Sequence, residues 1–450
     1  MNSVELIVDQ YDETEVDLKM SLKPKRRTGW NVKMSDLARY THNPIRAIVE
    51  GMKIEPNPEK QLIALSIGDP TTFGNMRPAP EIIEAVKNVI VKETHNGYGP
   101  SNGFVQARQA ICDYEKHQGD LTPNDVIICS GCSTALDLCI SAIASYGQNI
   151  LCPRPGFSIY RTLSEGLGVE VRNYDLIPER KWEADLEHLE SLIDENTAAL
   201  IITNPSNPCG SVFSKEHLLD ILKVAEKHYL PIIADEIYEH FVFPGSEFHA
   251  ISSLSKNVPV LSCGGLTKRF LVPGWRFGWI TIHDRNGVFG KEIRQALGNM
   301  SGRILGANTI IQGALPEIFK NTPQSFYDNI VQTIHKHALL AYDLIKTTCP
   351  GMHPIMPDGA MYMMIRIDIE NYPEYEDEMG LLQDLIKEES VFCLPGKCFE
   401  IPNYFRIVLT VPEEMVREAC YRMAEFCERH YKRDNRIIMQ KEFLNGIDEL

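Results

Sequence analysis

Ser262-Cys263-Gly264-Gly265-Leu266-Thr267-Lys268-Arg269, continued by Pro273-Gly274-Trp275-Arg276 and Gly278, is the stretch around which the rest of the 450-residue chain is read. An apolar run, Val258 to Leu261, leads into it and ends in small residues beside a single lysine, Lys268. A second cation, Arg276, follows eight residues later. A lysine among positive neighbours gives up its proton more readily, since a like charge disfavours the charged form. A neutral amine is a nucleophile that forms a Schiff base with a carbonyl. An arginine nearby offers a planar fork to a phosphate or carboxylate. The expectation is that Lys268 carries pyridoxal phosphate and that Arg276 helps to hold its phosphate. The alternative is a surface loop with two solvated cations.

Composition narrows the setting. The chain is 44% hydrophobic, enough for a large core, and its net charge of −16 argues against a general nucleic-acid or anionic-membrane surface. No apolar run approaches the roughly 18 residues needed to span a bilayer. Glu5, Asp9, Asp12, Glu13, Glu15 and Asp17 are the wrong composition for a secretory or mitochondrial leader. Twelve cysteines are scattered without a framework, most of them in apolar runs where cysteine acts as a small hydrophobe. Cys129 and Cys132 have the spacing of a zinc knuckle or redox pair, but no second pair completes a metal site, so no metal is expected. Unpaired cysteines fit a reducing compartment. A cytoplasmic setting is expected, with the mitochondrion left open.

Taken in order, residues 1–40 lack periodicity and read as a mobile arm. Asn43-Pro44 opens a helix, Leu62 to Ile67 is a short strand ending in Gly68-Asp69-Pro70, and Pro80 begins another helix. Gly97 to Gly103 is a loop dense in turn formers that exposes Tyr98. Val126 to Cys129 is a strand that passes through Ser130-Gly131-Cys132-Ser133 into a helix, a ready anion site because backbone N–H groups are free there. Leu176 to Ala184 reads as irregular. Apolar runs at Ala198–Thr203, Pro231–Ala234, Val258–Leu261 and Gly278–Ile282 alternate with helical periods. That alternation indicates a mainly parallel sheet covered by helices on both faces. Ligands in such sheets sit beyond the carboxyl ends of the strands, and Ser133, Asn207, Asp235 and Lys268 all fall there. From about residue 330 the pattern becomes a smaller α+β domain. The expected division is an arm (1–40), an N-terminal part of the small domain (41–75), a large domain (76–330), the rest of the small domain (331–432) and a polar tail (433–450).

The chemistry of single residues sharpens this. Asp235 ends an apolar strand, so its carboxyl must face a cation or donors. A pyridinium nitrogen would serve, and so would a core arginine. Asn207 and Tyr238 could both donate to a phenolic oxygen. Phe157 could stack on a ring or simply pack. Arg406 lies in an otherwise apolar strand and needs an anion, which a substrate carboxylate could supply bidentately.

Seven motifs resemble the fold-type I pyridoxal-phosphate aminotransferases, in that family's order, over about residues 40–430. They are Tyr98 to Gly103, Ser130 to Ser133, Pro153 to Phe157, Asn204 to Gly210, Ala234 to Tyr238, Ser262 to Lys268 with Pro273 to Arg276, and Asn403 to Val411. The spacings are the family's too: 28 residues from Asn207 to Asp235 and eight from Lys268 to Arg276. The resemblance implies that Lys268 forms the Schiff base and shuttles the proton, and that Asp235 pairs with the pyridine nitrogen. It implies that Asn207 and Tyr238 hold the phenolic oxygen, that Gly131, Cys132, Ser133 and Arg276 surround the phosphate, and that Phe157 lies on the ring. It places Arg406 on the substrate carboxylate, with Gly68 and Asn207 close by. Tyr98 is implied to reach the phosphate in a neighbouring subunit, hence a homodimer with shared sites. The implied reaction is ping-pong transfer of the amino group of L-tyrosine to 2-oxoglutarate, giving 4-hydroxyphenylpyruvate and L-glutamate, the opening step of tyrosine breakdown. Rivals are a broader aromatic or alanine aminotransferase and a carbon–sulfur lyase on the same scaffold. One departure stands out: Gly265 occupies the position where aspartate aminotransferases have a phosphate-binding serine.

Overall fold

The structure is a computed structural model, and it describes residue 30, residues 32–52 and residues 54–432. Most of the expected N-terminal arm and the polar tail at 433–450 lie outside the described residues.

The larger sheet has eight strands in the order Val126–Cys129, Gly278–His283, Val260–Gly265, Ile232–Asp235, Thr197–Thr203, Asn149–Arg154, Glu170–Ile177, Glu183–Ala184. The four neighbouring pairs from Val260–Gly265 to Glu170–Ile177 are parallel. Gly278–His283 runs antiparallel to both of its neighbours, and the two-residue edge strand is antiparallel as well. The near-continuous apolar runs are explained by helices on both faces. Ile201, Ile233 and Leu261 face the helix Cys132–Ile143 with its Ala135, Leu136 and Cys139. Leu200, Ile202, Ile232 and Val260, their direct neighbours in sequence, face Leu218, Ile221 and Ala225 of the helix Lys215–Lys227. Truncating one of these fully buried aliphatics to alanine costs about 2–5 kcal/mol.

The strand Glu170–Ile177 departs from the sequence reading, which took its end as irregular. Half of its residues, Glu170, Arg172, Asn173 and Asp175, are polar, and only Tyr174 and Leu176 are buried. Pairing with Asn149–Arg154 along six residues makes it a strand, a tertiary cause that local pattern does not carry.

A second sheet orders Met352–Ile355, Tyr362–Ile367, Tyr404–Val408 and Leu394–Pro395, all antiparallel. The helices Gln324–Thr348, Glu378–Glu389 and Glu413–His430 contribute to its core, through residues such as Ile334, Leu381 and Met423. Ile63 and Ala64 pair in parallel with Val391 and Phe392, and the Leu65 carbonyl accepts the Val408 N–H. The chain at 63–68 therefore runs along this second sheet and ends against Lys268.

Candidate active site

Register aligns the ends of the central strands. Thr203 lies beside Asp235, and Asp235 beside Cys263, so the residues following each strand emerge on one level. Gly265 and Gly278 are cross-strand partners, and the segment from Lys268 to Arg276 is the loop that joins the two strands. This brings both cations of the opening stretch to the same end of the sheet. They line one cavity of about 240 Å³ together with Cys132, Ser133, Phe157, Asn207, Asp235 and Tyr238.

One wall of the cavity is the start of the helix Cys132–Ile143. Its N-cap is Gly131, which supplies no side-chain cap, and the first N–H groups of a helix have no acceptor within it. Gly131 has φ +88°, and a Cβ there would lie 2.5 Å from Nη2 of Arg276, so the guanidinium rests directly on this turn. Free N–H groups, a helix dipole, the Ser133 hydroxyl and a guanidinium make a cradle for a phosphate dianion. The Gly265 departure has a steric reason, since a Cβ at that position would come 2.8 Å from the Phe277 carbonyl oxygen. The Cys132 thiol does not join the cradle; it points at Asp235 Oδ1 at 3.8 Å.

Asp235 is 4% exposed. Tyr160 donates to its Oδ2 at 2.8 Å, and the Ile237 N–H reaches Oδ1. Burial pushes its carboxyl up; the Tyr160 hydroxyl, the Ile237 N–H, the Cys132 thiol and the charge of Lys268 pull it back. Tyr160 also bonds Thr203 Oγ1 at 2.6 Å. Sequence reasoning missed Tyr160 and Thr203, although Tyr160 stands three residues after Phe157 and edge-on to its ring at 6.2 Å.

Lys268 Nζ donates to the Gly68 carbonyl at 2.7 Å and sits 5.6 Å from the Tyr238 ring centroid. Arg406 is 4% exposed, and burial pulls it below the ordinary arginine value. It donates to Asn207 Oδ1 at 2.8 Å and to the Ser66 carbonyl at 3.0 Å, while its Nε has no partner. Among the described residues no carboxylate pairs with it. A buried cation held only by neutral acceptors is an incomplete pair and calls for an anion. Its guanidinium lies 4.2 Å from the centroid of Tyr362, a third residue that sequence reasoning missed.

Of the twelve residues singled out from sequence, Tyr98 stands apart. It is 90% exposed and borders a surface recess with Ile304, Leu305 and Asn308. The donor set fits pyridoxal phosphate: a buried carboxylate in want of a cation, an amine, a phosphate cradle and an aromatic face on one cavity.

The chain belongs to the aminotransferase class I and II family, whose model matches residues 60–423. It is 53% identical over 407 residues to the tyrosine aminotransferase of Mus musculus, covering 90% of this chain and 89% of that one. A crystal structure of tyrosine aminotransferase from Leishmania infantum superposes with a TM-score of 0.86 at 32% identity, covering 90% of this chain and all of the other. An alanine aminotransferase from Pyrococcus furiosus gives 0.81 at 29% identity, over 88% of this chain and 100% of its own.

Proposed function

We propose that the protein is a pyridoxal-phosphate-dependent aminotransferase that moves the amino group of L-tyrosine to 2-oxoglutarate, giving 4-hydroxyphenylpyruvate and L-glutamate. The observation that carries the reaction class is the meeting of Lys268, Asp235 and the phosphate cradle on one cavity, with an uncompensated Arg406 bonded to Asn207 at its side. The identity to the mouse enzyme supports tyrosine as the amino donor.

The cofactor supplies an electron sink for the pair released at the amino-acid Cα. The chain's own residues do the rest. Lys268 Nζ is the base that removes the Cα proton, a role that needs it freed from its bond to the Gly68 carbonyl. Asp235, fixed by Tyr160 and Cys132, would face the ring nitrogen and favour its protonated form. Tyr238 and Asn207 would donate to the phenolic oxygen. The Gly131 turn, the Cys132 and Ser133 N–H groups and Arg276 would hold the phosphate. Arg406 takes the α-carboxylate of the amino acid and then of the keto acid, so one clamp serves both half-reactions. Tyr98, exposed here, suits a site completed by a second copy of the chain. Twelve free, buried cysteines support a reducing setting, and we place the reaction in the cytoplasm.

Mixing the loaded protein with L-tyrosine alone tests this. One equivalent of 4-hydroxyphenylpyruvate per site, with no ammonia, is expected, and 2-oxoglutarate should then yield one equivalent of glutamate. Ammonia release without a keto acid would instead mark lyase chemistry. Alanine reacting as fast as tyrosine would mark the broader aminotransferase.

A further inference from the structure

Tyr362 opens the second-sheet strand Tyr362–Ile367 and is 2% exposed, yet its hydroxyl lies among groups of the first sheet. It bonds the Tyr238 hydroxyl at 2.7 Å, with the two rings edge to face at 5.7 Å. A Cβ on Gly68 would come 2.9 Å from this hydroxyl, so the backbone that accepts from Lys268 also packs directly on Tyr362. Its ring face carries the Arg406 guanidinium at 4.2 Å. Gly210, φ +69°, closes the arrangement behind; a Cβ there would lie 2.7 Å from the Tyr362 carbonyl oxygen. One side chain thus touches the partners of both the base and the carboxylate clamp.

Counting protons gives the pair a direction. A phenol has one O–H and two lone pairs. In the protein alone either tyrosine can donate. Under the function proposed above, on which this inference rests, Tyr238 commits its single proton to the cofactor's phenolic oxygen. The 2.7 Å contact then survives only with Tyr362 as donor and Tyr238 as acceptor. A hydroxyl that accepts a hydrogen bond becomes a better donor in turn. We propose that Tyr362 is a positioning residue that donates to Tyr238 through its hydroxyl and supports Arg406 with its ring, tying the phenolic-oxygen contact to the carboxylate clamp.

The two halves of Tyr362 separate by substitution. Tyr362→Phe keeps the ring under Arg406 and removes the hydroxyl. The proton shared by the Lys268 nitrogen and the phenolic oxygen is held less tightly when that oxygen already accepts a strong bond. Weakening the Tyr238 donor therefore raises the pH midpoint of the loaded protein's visible absorbance, by about half a pH unit for one ordinary hydrogen bond acting at second hand. In the same variant kcat falls, while KM for L-tyrosine stays within about two-fold because the cation–ring contact is kept. Tyr362→Leu, which loses the ring too, raises KM by about five-fold in addition. In a Tyr238→Phe background, Tyr362→Phe should leave the midpoint where it was, because its effect runs through Tyr238. An unchanged midpoint in Tyr362→Phe, or an equal rise in the Tyr238→Phe background, overturns the proposal. A wild-type protein with no visible band after addition of pyridoxal phosphate overturns the underlying reading of the site instead.

Discussion

Asp235 and Glu236 are neighbours at the end of one strand and are 4% and 2% exposed, but their surroundings differ in kind. Asp235 is ringed by neutral donors, Tyr160, Cys132 and the Ile237 N–H, and lines a cavity with Lys268. Glu236 accepts from the Ile251 N–H and lies among other acids. Burial, with Glu239 beside it, pushes it up to about 8. On that side Glu115 accepts from the Trp279 indole at 2.9 Å and from Gln118 at 2.8 Å, and burial pushes its carboxyl well up. His117 meets Glu239 at 2.9 Å. Burial opposes these charges, but the contacts prevail: His240, also 2.9 Å from Glu239, and then His117 hold Glu239 low, and Glu239 in turn raises His117. The second cluster settles its charge internally, by retained protons and the contacts of His117 and His240 with Glu239. The first leaves a carboxylate and an arginine to be met by something that enters. In this chain the buried carboxyl with donors and an open cavity around it is Asp235, and the one among other carboxyls is Glu236.

Substitutions on the two sides should therefore separate activity from stability. The largest effect is expected from Lys268→Ala, which removes the base and should cut kcat by roughly 10²–10⁴-fold or more with the thermal midpoint nearly unchanged. Asp235→Asn comes next, with a loss in kcat of about 100-fold or more, as for breaking a buried ion pair. The same variant without cofactor should melt no lower than the wild type, because burial works against the ionised carboxyl; calorimetry of the cofactor-free protein checks this. Glu236→Gln acts in the opposite sense, leaving kcat largely intact. Glu236 has a folded value near 8, raised from 4.5, so its contribution is present below pH 4.5 and lost as pH rises toward 8. The fall in thermal midpoint between pH 5 and 8 should be shallower in Glu236→Gln. The smallest effect belongs to His117→Ala. A raised histidine stabilises below its unfolded value near 6.5 and ceases to do so as pH climbs through its folded value. The variant should lose more stability at pH 5.5 than at pH 8. A kcat loss in Glu236→Gln as large as that in Asp235→Asn would break the distinction between the two clusters.

Much of the site was legible because the central strands are near-continuous apolar runs, and polar residues at or just past their ends stand out: Ser133, Asn207, Asp235 and Lys268. The final helix, Glu413–His430, coincides with its amphipathic period and has no glycine or proline inside to blur it. What escaped depends on contacts between distant segments. Tyr160 and Thr203 are ordinary core residues until the fold puts Asp235 beside them. Tyr362 looks like one apolar position of a strand, and its hydroxyl acquires a role only where the second sheet meets the first. The cluster of Glu115, Gln118 and Glu239 carries no signal in sequence, since nothing local says that the Trp279 indole reaches Glu115. The aspartate-to-thiol contact of Cys132 was likewise hidden, because its spacing from Cys129 pointed to a zinc knuckle or redox pair and the resemblance pointed to the phosphate.

The most direct test of the central claim is the visible spectrum of the protein after loading with pyridoxal phosphate, followed through successive additions of L-tyrosine and 2-oxoglutarate. The account predicts a visible band that L-tyrosine abolishes and 2-oxoglutarate restores, and no such band in Lys268→Ala. A protein that takes up no chromophore, or a Lys268→Ala variant with the wild-type band and the same response, would contradict it.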